Sequence, residues 1–555
     1  MSATPTGAAP AAGTMSEPFD IDQNWDAIVV GTGMGGATLG LALARAGRRV
    51  LFLEKGSASP DLVDRYAEDD FPRPEAPQPA HRTILARAGR YADQIVDRST
   101  PRTQRFVPFI GSGAGGSSAL YGMALERFFP ADFAAADHYQ APPGADLPAR
   151  WPVGYGELAP YYDAAEQLFR IRGSADPLRA DGQREHLLPS PPLTPASEEL
   201  FGFFAGRGLH PYRLPLACEF VDGCSGCQGY LCSRACKNDA GRICLTPAVR
   251  DHGARLLDAC EVMALEADEK RVTGVVCARG GNRLTVRAPV VVLAAGALET
   301  PRILLDSASG AWPQGLANAS GLVGKYLMRH HIDLYLIEPK LKGEFDNRQK
   351  ELAFNDFYLK DGQKLGSVQS FGRLPPPATL AASVADDLRQ GPLPWAAPLF
   401  KLAKPFVTPV LDGLVHRRMI LATTLEDFPY ADNRVEPARE DARGARLAIE
   451  YRLRDADRAR IAAFRTRMRD VLAGYSFKLI KQAENNQRIA HVCGTCRFGD
   501  DPAQSVLDRN NRAHGLANLY VVDSSFFPSS GGTNPSLTIA ANALRVADHL
   551  LAQAH

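Results

Sequence analysis

The sequence lacks the features that would assign it to a membrane or to nucleic acid. Its 555 residues contain no run of eighteen apolar side chains, the length that a membrane-spanning helix needs. It also has no excess of charge, because 63 basic residues offset 62 acidic ones and leave a formal net charge of +1. Binding to nucleic acid or to a membrane surface through bulk charge is therefore not expected.

The N-terminus lacks the pattern of a secretory signal. Residues 1–24 are rich in Ala, Pro, Thr and Gly, without the charged and apolar regions of such a signal. We therefore predict a disordered tail over 1–24 and a cytoplasmic protein, whose cysteines stay reduced unless they bind metal. The whole chain is 45% hydrophobic and 23% charged, the composition of a globular enzyme with two or more domains.

A glycine-rich fingerprint begins the patterned part of the chain. The buried-strand signal WDAIVV leads directly into GTGMGG and an apolar helix pattern, and a second strand, RRVLFLEKG, follows. Gly31, Gly33 and Gly36 would let the backbone approach a pyrophosphate at the helix N-terminus, and Glu54 would bond ribose hydroxyls. A tight turn without a ligand is the alternative. NAD and FAD can both use this fingerprint.

Two later segments extend this pattern. GSGAGGSSALYGM, from Gly111 to Met123, is a second glycine–serine loop, and RAPVVVLAAGALETPRILL predicts another buried strand, turn and helix. Two glycine-rich loops suit a large, extended ligand better than one phosphate-binding loop does. The second loop could alternatively be a linker.

The C-terminal region predicts a strand, a polar loop and a helix. LYVV ends at Asp523, a Pro/Ser/Gly-rich turn leads to Asn534-Pro535, and an apolar helix pattern follows. The segment HVCGTCRFG, beginning at His491, lies just before this region. Open α/β sheets place ligands at the ends of buried strands, so His491 and Asn534 are candidate site residues.

Six of the ten cysteines fall within 27 positions, namely Cys218, Cys224, Cys227, Cys232, Cys236 and Cys244. Thiolates in one short loop are how iron–sulfur clusters are held, so the first interpretation is a cluster on the ligands Cys224, Cys227, Cys232 and Cys236. Zinc is the second, although zinc loops usually separate their cysteine pairs by a dozen residues or more. Reduced structural thiols or disulfides are the third.

A proline-rich apolar segment interrupts the less patterned region that follows. Residues 392–414 contain five prolines, which exclude a regular helix or a central strand. We interpret this segment as an irregular cover over a pocket. A packed structural loop and a surface that faces a membrane or a partner are the alternatives.

Taken together, the motifs resemble the glucose–methanol–choline family of FAD-dependent oxidoreductases, from about residue 25 to about residue 550. The matching stretches are GTGMGG with Glu54, GSGAGGSSALYGM, WPVGYGELAPYYDAAE, VVLAAGALETPRILL, GLVGKYLMRH, HVCGTCRFG, LYVVDSSFFP and TNPSLTIAANAL. The resemblance implies an α/β fold with a discontinuous Rossmann-like FAD-binding domain. A substrate-binding domain with a mixed or antiparallel sheet would cover the flavin.

The resemblance also implies a division of the chain. Residues 25–137, 240–330 and 500–555 would form the FAD-binding domain. Residues 138–239 would form a cap or insert with the cysteine cluster, and residues 331–499 the substrate-binding domain.

Carried over by position, the family's cofactor contacts fall on residues from all three FAD-binding segments. They are Gly31, Gly33 and Gly36 at the pyrophosphate, Glu54 at the adenosine ribose, Gly116 and Ser117 along the phosphates and flavin, Val262 at the adenine, and Asp523 and Pro535 near the ribityl chain and pyrimidine edge. Several members carry FAD on a histidine of the second glycine loop. The comparable residue here falls at about Leu120, so we expect non-covalent FAD.

The resemblance gives His491 the role of catalytic base and Asn534 the role of its partner, which orients the substrate oxygen. The expected activity is oxidation of a sugar, polyol or apolar alcohol by a dehydrogenase. The alternatives are an oxidase that forms hydrogen peroxide and a flavin-binding electron-transfer subunit. Some sugar dehydrogenases of the family have a cysteine-rich insert that carries a cluster, which would pass electrons to an acceptor protein.

Overall fold

A computed structural model describes most of the chain. The described residues are 20–21, 23–58, 79–179, 186–224, 226–341, 350–372, 395–396, 398–400, 403, 418–439, 441 and 444–553. Most of the predicted tail over 1–24 and most of the proline-rich segment 392–414 lie outside these residues. None of the helices within them is both long and apolar enough to cross a membrane.

The α-helices of the described residues are α1 (Met34–Arg45), α2 (Pro79–Arg87), α3 (Pro130–Phe133), α4 (Tyr155–Leu168), α5 (Pro195–Gly206), α6 (Thr246–His252), α7 (Gly296–Asp306), α8 (Asp455–Val471) and α9 (Ser536–Gln553).

The strands are β1 (Ala27–Val30), β2 (Val50–Leu53), β3 (Ile95–Asp97), β4 (Gln104–Phe106), β5 (Tyr212–Arg213), β6 (Arg255–Leu257), β7 (Cys260–Ala267), β8 (Val272–Arg279), β9 (Asn282–Val286), β10 (Val290–Leu293), β11 (His331–Glu338), β12 (Leu352–Phe354), β13 (Leu359–Lys360), β14 (Gln363–Lys364), β15 (Gly366–Ser370), β16 (Met419–Leu425), β17 (Arg434–Pro437), β18 (Leu447–Glu450), β19 (Ser476–Ile480) and β20 (Leu519–Val521).

A parallel sheet of five strands gathers segments from three distant parts of the chain. Its order is β20-β10-β1-β2-β6, and every neighbouring pair is parallel. The strands β1 (AIVV) and β2 (VLFL) are buried along their whole length, as continuous apolar runs in parallel sheets are. The sheet thus contains the strands that the sequence predicted at WDAIVV, RRVLFL, PVVVL and LYVV.

The carboxyl ends of these strands lie along one edge of the sheet. Gly31 follows β1, Glu54 follows β2, Gly296 begins the helix after β10, and Asp523 follows β20. Parallel strands present their following loops at the same edge, and such an edge is where doubly wound sheets bind ligands. The fold therefore brings the N-terminal, central and C-terminal motifs to one site.

A second sheet is antiparallel throughout. Its six strands have the order β19-β11-β16-β15-β12-β5 and come mostly from the region after residue 330. One face packs on helices α5 and α8 around a separate apolar core that includes Phe204, Phe354 and Phe464. Smaller sheets complete the fold, namely β17-β18-β3-β4, β7-β8-β9 and β13-β14.

The domain boundaries expected from the sequence remain predictions, and strand pairing joins segments across two of them. β5 lies within the predicted cap at 138–239 but pairs with β12 in the antiparallel sheet. β3, in the predicted FAD-binding domain, pairs with β18. Both strands are only two or three residues long, so sequence periodicity could not have assigned their partners.

Close backbone contact fixes α1 on the parallel sheet. A Cβ at Gly35 would lie 2.1 Å from the carbonyl oxygen of Val522, which follows β20, and a Cβ at Gly36 would lie 2.2 Å from that of Gly31. Glycine is therefore required at both positions for α1 to reach the loops at the strand ends.

We predict opposite effects on stability for two helical Gly→Ala substitutions. Gly35→Ala should lower the free energy of unfolding by about 1–3 kcal/mol, because its methyl group overlaps backbone. Gly202→Ala is the matched control in α5, where the added Cβ would meet no described atom within 4 Å; it should raise stability by about 0.5–1 kcal/mol. Thermal unfolding followed by circular dichroism measures both, and equal midpoints would contradict the proposed contact.

Candidate active site

The start of α1 and the second glycine loop form an open backbone surface. No side chain caps α1 at Gly33, its first turn has no acidic residue, and no described atom lies within 4 Å of where a Cβ at Gly33 would be. Unpaired N–H groups at a helix start bind phosphate well. These features fit the pyrophosphate of a dinucleotide at Gly31, Gly33 and Gly36.

The second loop approaches the first closely. Gly116 has a left-handed φ of 52°, and a Cβ on it would lie 3.0 Å from the Cα of Gly33. Gly116 begins a short 3₁₀ helix, Gly116–Ala119, and the exposed Ser117 accepts a hydrogen bond from the backbone of Gly111 at 3.0 Å. The two loops predicted to hold one extended ligand therefore face each other.

Glu54 joins these loops through its carboxylate. Oε2 accepts hydrogen bonds from the backbone N–H of Thr32 (3.0 Å) and from its hydroxyl (2.7 Å), and Oε1 accepts from the backbone of Gly56 and Gly113, both at 2.9 Å. A carboxylate has about four acceptor sites, all of which these groups use. A ribose hydroxyl at Glu54 would replace or share one of these bonds.

Two other expected cofactor contacts have protein partners in the structure. The carbonyl oxygen of Val262, in β7, accepts a hydrogen bond from buried Arg302 at 3.1 Å. Asp523 accepts from the backbone of Gly296 (2.9 Å) and the hydroxyl of Thr300 (2.5 Å), which fastens the end of β20 to α7. Burial raises the pKa of Asp523. Contacts of both residues with a cofactor remain predictions.

His491 lies beside a second histidine that the sequence did not single out. The Nδ1 atoms of His491 and His330 are 2.8 Å apart, and the rings are nearly perpendicular at 83°. His491 has a left-handed φ of 55°, which is strained for a residue with a side chain and is held by its surroundings. His330 directly precedes β11 and is 1% exposed.

The partners of His330 determine which ring nitrogens carry protons. Its Nε2 lies 2.9 Å from the carbonyl oxygen of Gly531 and 3.2 Å from that of Ser530. Carbonyl oxygens only accept, so Nε2 of His330 donates and its Nδ1 accepts from Nδ1–H of His491. In the neutral ring, Nε2 of His491 then keeps its lone pair and can act as a base.

Burial, which is complete for His330 and partial for His491, favours the neutral form of both imidazoles. It lowers the pKa of His330 to about 4, and burial, followed by the charges of His330 and Lys350, lowers the pKa of His491 well below its usual value. A lowered pKa means that His491 loses its base function only when the pH falls through that lower value. His491 is therefore neutral, with its one proton on Nδ1, throughout the neutral range.

Asn534 is held by a reciprocal amide pair. Its Nδ2 donates to Oε1 of Gln369 at 2.9 Å, and Nε2 of Gln369 donates to Oδ1 of Asn534 at 3.3 Å. Asn534 is 6% exposed, and the Pro535 after it leads into α9, where its carbonyl accepts from the backbone of Ile539 at 3.1 Å. The amide group of Asn534 has a second hydrogen, which can orient a substrate oxygen.

Sequence reasoning missed His330 and Gln369 for different reasons. His330 ends the motif GLVGKYLMRH, so the adjacent histidines 330 and 331 were a signal that could have found it. Gln369 lies in the short strand β15, where nothing in GSVQS marks it. Its pairing with Asn534 becomes evident only in the folded chain, where β15 lies beside the C-terminal loop.

The cysteine-rich segment brings several thiols together. The Sγ atoms of Cys218, Cys224 and Cys236 lie within 4.8 Å of one another, and that of Cys232 is 3.4 Å from that of Cys236. Cys227 is outside this three-thiol group but hydrogen-bonds to Cys232. Cys218, expected only to flank the site, is thus one of its central thiols. Cys244 lies elsewhere, 3.6 Å from the hydroxyl of Thr38.

The parallel sheet and the glycine loops at its edge define a class of protein, the dinucleotide-binding α/β proteins, and a neutral histidine pair lies beside the loop that follows β20. Family models described as GMC oxidoreductase match residues 25–332 and residues 429–543. The chain therefore belongs to the GMC oxidoreductase family, whose members bind FAD. The predicted family, the discontinuous α/β fold with its second sheet, and the expectation of an enzyme acting on CH–OH groups are confirmed.

Named relatives are similar along almost the whole chain. Paromamine 6'-oxidase of Streptomyces fradiae is 31% identical, over 95% of this chain and 91% of its own. 2-Methyl-1,2-propanediol dehydrogenase of Mycolicibacterium austroafricanum is 27% identical, over 95% of each chain. The crystal structure of pyridoxine 4-oxidase from Mesorbium loti superimposes with a TM-score of 0.62 at 23% identity, covering 96% of this chain and 100% of that one.

The histidine pair generates a prediction that compares two substitutions of similar size. His330→Leu removes the acceptor for Nδ1–H of His491, whereas His330→Asn keeps an oxygen near the position of Nδ1. A buried donor without a partner costs about 1–3 kcal/mol, so the Leu variant should oxidise alcohol about tenfold to hundredfold more slowly than the Asn variant. Anaerobic flavin reduction measures these rates at equal flavin content. Equal rates for the two variants would contradict the tautomer assignment.

Proposed function

We propose that the chain is an FAD-dependent dehydrogenase that oxidises the CH–OH group of a sugar, polyol or apolar alcohol to a carbonyl. The observation that carries this proposal is the lone pair on Nε2 of His491, which follows from the partners of His330. A base in this state can take the hydroxyl proton as the carbon loses hydride. FAD, when bound, supplies the hydride acceptor.

In this proposal each polar group of the site has one task. His491 takes the hydroxyl proton on Nε2, and the resulting imidazolium keeps its Nδ1–H bond to His330. Asn534, held by Gln369, donates to the substrate oxygen and stabilises the negative charge that develops there. Ser530 and Gly531 fix the ring of His330 through their carbonyl groups.

The glycine loops support non-covalent FAD. The surface at Gly33 and Gly116 fits the pyrophosphate, and we assign the adenosine ribose to Glu54 and the adenine to the backbone of Val262. Leu120, buried beside the second loop, stands where several family members have the histidine that carries FAD. A leucine has no nucleophilic atom that could form such a bond.

The names of the relatives support a substrate with a CH–OH group. They include both an oxidase and a dehydrogenase. One relative is a paromamine 6'-oxidase and another is a 2-methyl-1,2-propanediol dehydrogenase. The oxidase name is the observation that favours the second candidate, an alcohol oxidase that reduces oxygen. We favour the dehydrogenase because of the cysteine cluster described below.

The proposed base is tested by His491→Ala. Anaerobic reduction of bound FAD by a panel of sugars, polyols and apolar alcohols should fall about 10²–10⁴-fold, while the flavin content stays at that of the wild type. His210→Ala is the control, because His210 is exposed and pairs with Asp356. A variant that bleaches the flavin at the wild-type rate would remove His491 from this role.

We also propose an iron–sulfur cluster in the cysteine-rich segment. Cys224, Cys232 and Cys236 of the predicted ligands lie with Cys218 in a chain of close thiol contacts between 3.3 and 3.8 Å. Hydrogen bonds with Cys218 and Cys236 lower the pKa of Cys224, and the same contacts raise the pKa of Cys218 and of Cys236. Cys224 is therefore the thiol of this group that most readily becomes the thiolate that a metal needs. Cys227 is the predicted ligand that lies outside this group. It would have to move toward the other thiols to bind the same cluster.

A buried cation adjoins these thiols. Lys237 is 1% exposed, and its Nζ donates to the carbonyl oxygens of Ala119 at 2.8 Å and Tyr230 at 2.9 Å. Within the described residues no carboxylate forms a salt bridge with Lys237. The charge of Asp239, followed by those of the cysteines, offsets part of the fall in pKa that burial of Lys237 causes. An anionic thiolate cluster would add to this negative charge. The ten cysteines are free thiols, which supports a reducing compartment, and we propose the cytoplasm.

The proposed cluster predicts the metal content, the absorbance and the electron acceptor of the purified protein. Protein produced with iron should contain iron and acid-labile sulfide, absorb broadly beyond the flavin bands, and reduce an artificial dye faster than it consumes oxygen. Cys224→Ser should lose the iron and retain FAD, whereas Cys277→Ser, in β8, should lose neither. Zinc in place of iron, or flavin bands alone with no metal, would contradict the cluster.

A further inference from the structure

Lys350 is a half-buried cation that the proposed chemistry does not use. The residue precedes β12, and its Nζ lies 3.5 Å from Oε1 of Gln228 and 6.0 Å from the ring centroid of Phe371. Phe371 follows β15, the strand whose Gln369 pairs with Asn534, so these contacts place Lys350 beside the part of the site where Asn534 lies.

Three segments of the chain converge on this ammonium group. Gln228 comes from the cysteine-rich segment, and its Oε1 accepts a hydrogen bond from the backbone of Gly372 at 3.2 Å. A Cβ at Gly122, in the second glycine loop, would lie 2.3 Å from Nζ of Lys350 and 2.6 Å from Oε1 of Gln228. The missing side chain at Gly122 therefore leaves the room that Lys350 and Gln228 occupy.

Among the described residues, Lys350 lacks a carboxylate partner. Across the described part of the chain, none lies within 4.0 Å of its Nζ. Glu126 acts on it only through space, and the oxygens of Glu126 already accept hydrogen bonds from the hydroxyls of Tyr212 and Thr533. Burial also raises the pKa of Glu126. A half-buried ammonium without an ion pair can pair with a negatively charged ligand.

We propose that Lys350 determines specificity by binding an anionic group, a carboxylate, on the alcohol substrate, so that the substrate is a hydroxy acid. This inference rests on the proposed function and refines its substrate class. The hydroxyl group lies at His491 and Asn534, and the carboxylate pairs with Lys350. A cationic alcohol is repelled by the same charge, and a neutral one leaves it unpaired.

The test measures binding separately from oxidation. Holoenzyme is titrated with straight-chain carboxylates, amides and amines of equal length that lack a hydroxyl group, and the dissociation constant is taken from the change in the visible flavin spectrum. The wild type should bind the carboxylate about tenfold to hundredfold more tightly than the amine, as for a charge-assisted hydrogen bond. The same order should appear in the apparent affinities of the matching ω-hydroxy compounds during anaerobic flavin reduction.

Three variants distinguish the charge of Lys350 from its bulk. Lys350→Arg should keep the preference for carboxylate, and Lys350→Met should abolish it. Gln228→Glu keeps the acceptor for the backbone of Gly372 but places a carboxylate beside Lys350, so it should also cancel the preference. This variant tests the inference independently if Lys350→Met does not fold.

Two outcomes separate this inference from the proposed function. An identical ranking of carboxylate, amide and amine in the wild type, Lys350→Met and Gln228→Glu would overturn the role of Lys350, even if alcohols reduce the flavin. A preference for carboxylate that depends on Lys350, without flavin reduction by any hydroxy compound, would support the anion site and contradict the proposed oxidation.

Discussion

The parallel pairing of β20 with β10 is the contact on which the site depends. The register sets Val291 opposite Leu519 and Leu293 opposite Val521, so residues more than two hundred positions apart lie side by side. Asp523 then fastens the end of β20 to α7, and the loop that follows carries the carbonyl groups that orient His330 and the amide of Asn534. Without this pairing the polar groups of the site would lie in separate parts of the chain.

Burial of polar groups gives the site its chemistry. Each histidine of the pair is neutral because charging it inside the protein is unfavourable, and the fixed carbonyl partners leave one arrangement of protons. Two lysines next to the site also bear on what it binds. Lys237 is a buried cation beside the thiols, and Lys350 is a half-buried cation on the proposed substrate side. For each of them an anion outside the ordinary salt bridges is proposed.

Local sequence patterns predicted the fold better than they predicted the contacts within the site. Continuous apolar runs and the spacing of Gly31, Gly33 and Gly36 depend on neighbouring residues, so the parallel strands and the loop before α1 could be inferred. Gln369 meets Asn534 only when two distant segments come together, and Cys218 meets Cys224 and Cys236 only through the irregular path of their own loop. Periodicity reports neither contact. The short strands β3 and β5 join sheets across the expected domain boundaries for the same reason.

The central claim is that His491 is a neutral base whose Nε2 carries no proton, and nitrogen NMR of ¹⁵N-histidine-labelled holoenzyme tests it most directly. Comparison with His491→Ala assigns the signals of this ring. The account predicts a proton on Nδ1 and an unprotonated Nε2 at neutral pH, with both signals unchanged as the pH is lowered through the ordinary histidine range. A protonated Nε2, or a ring that gains its second proton near the ordinary pKa, would contradict it.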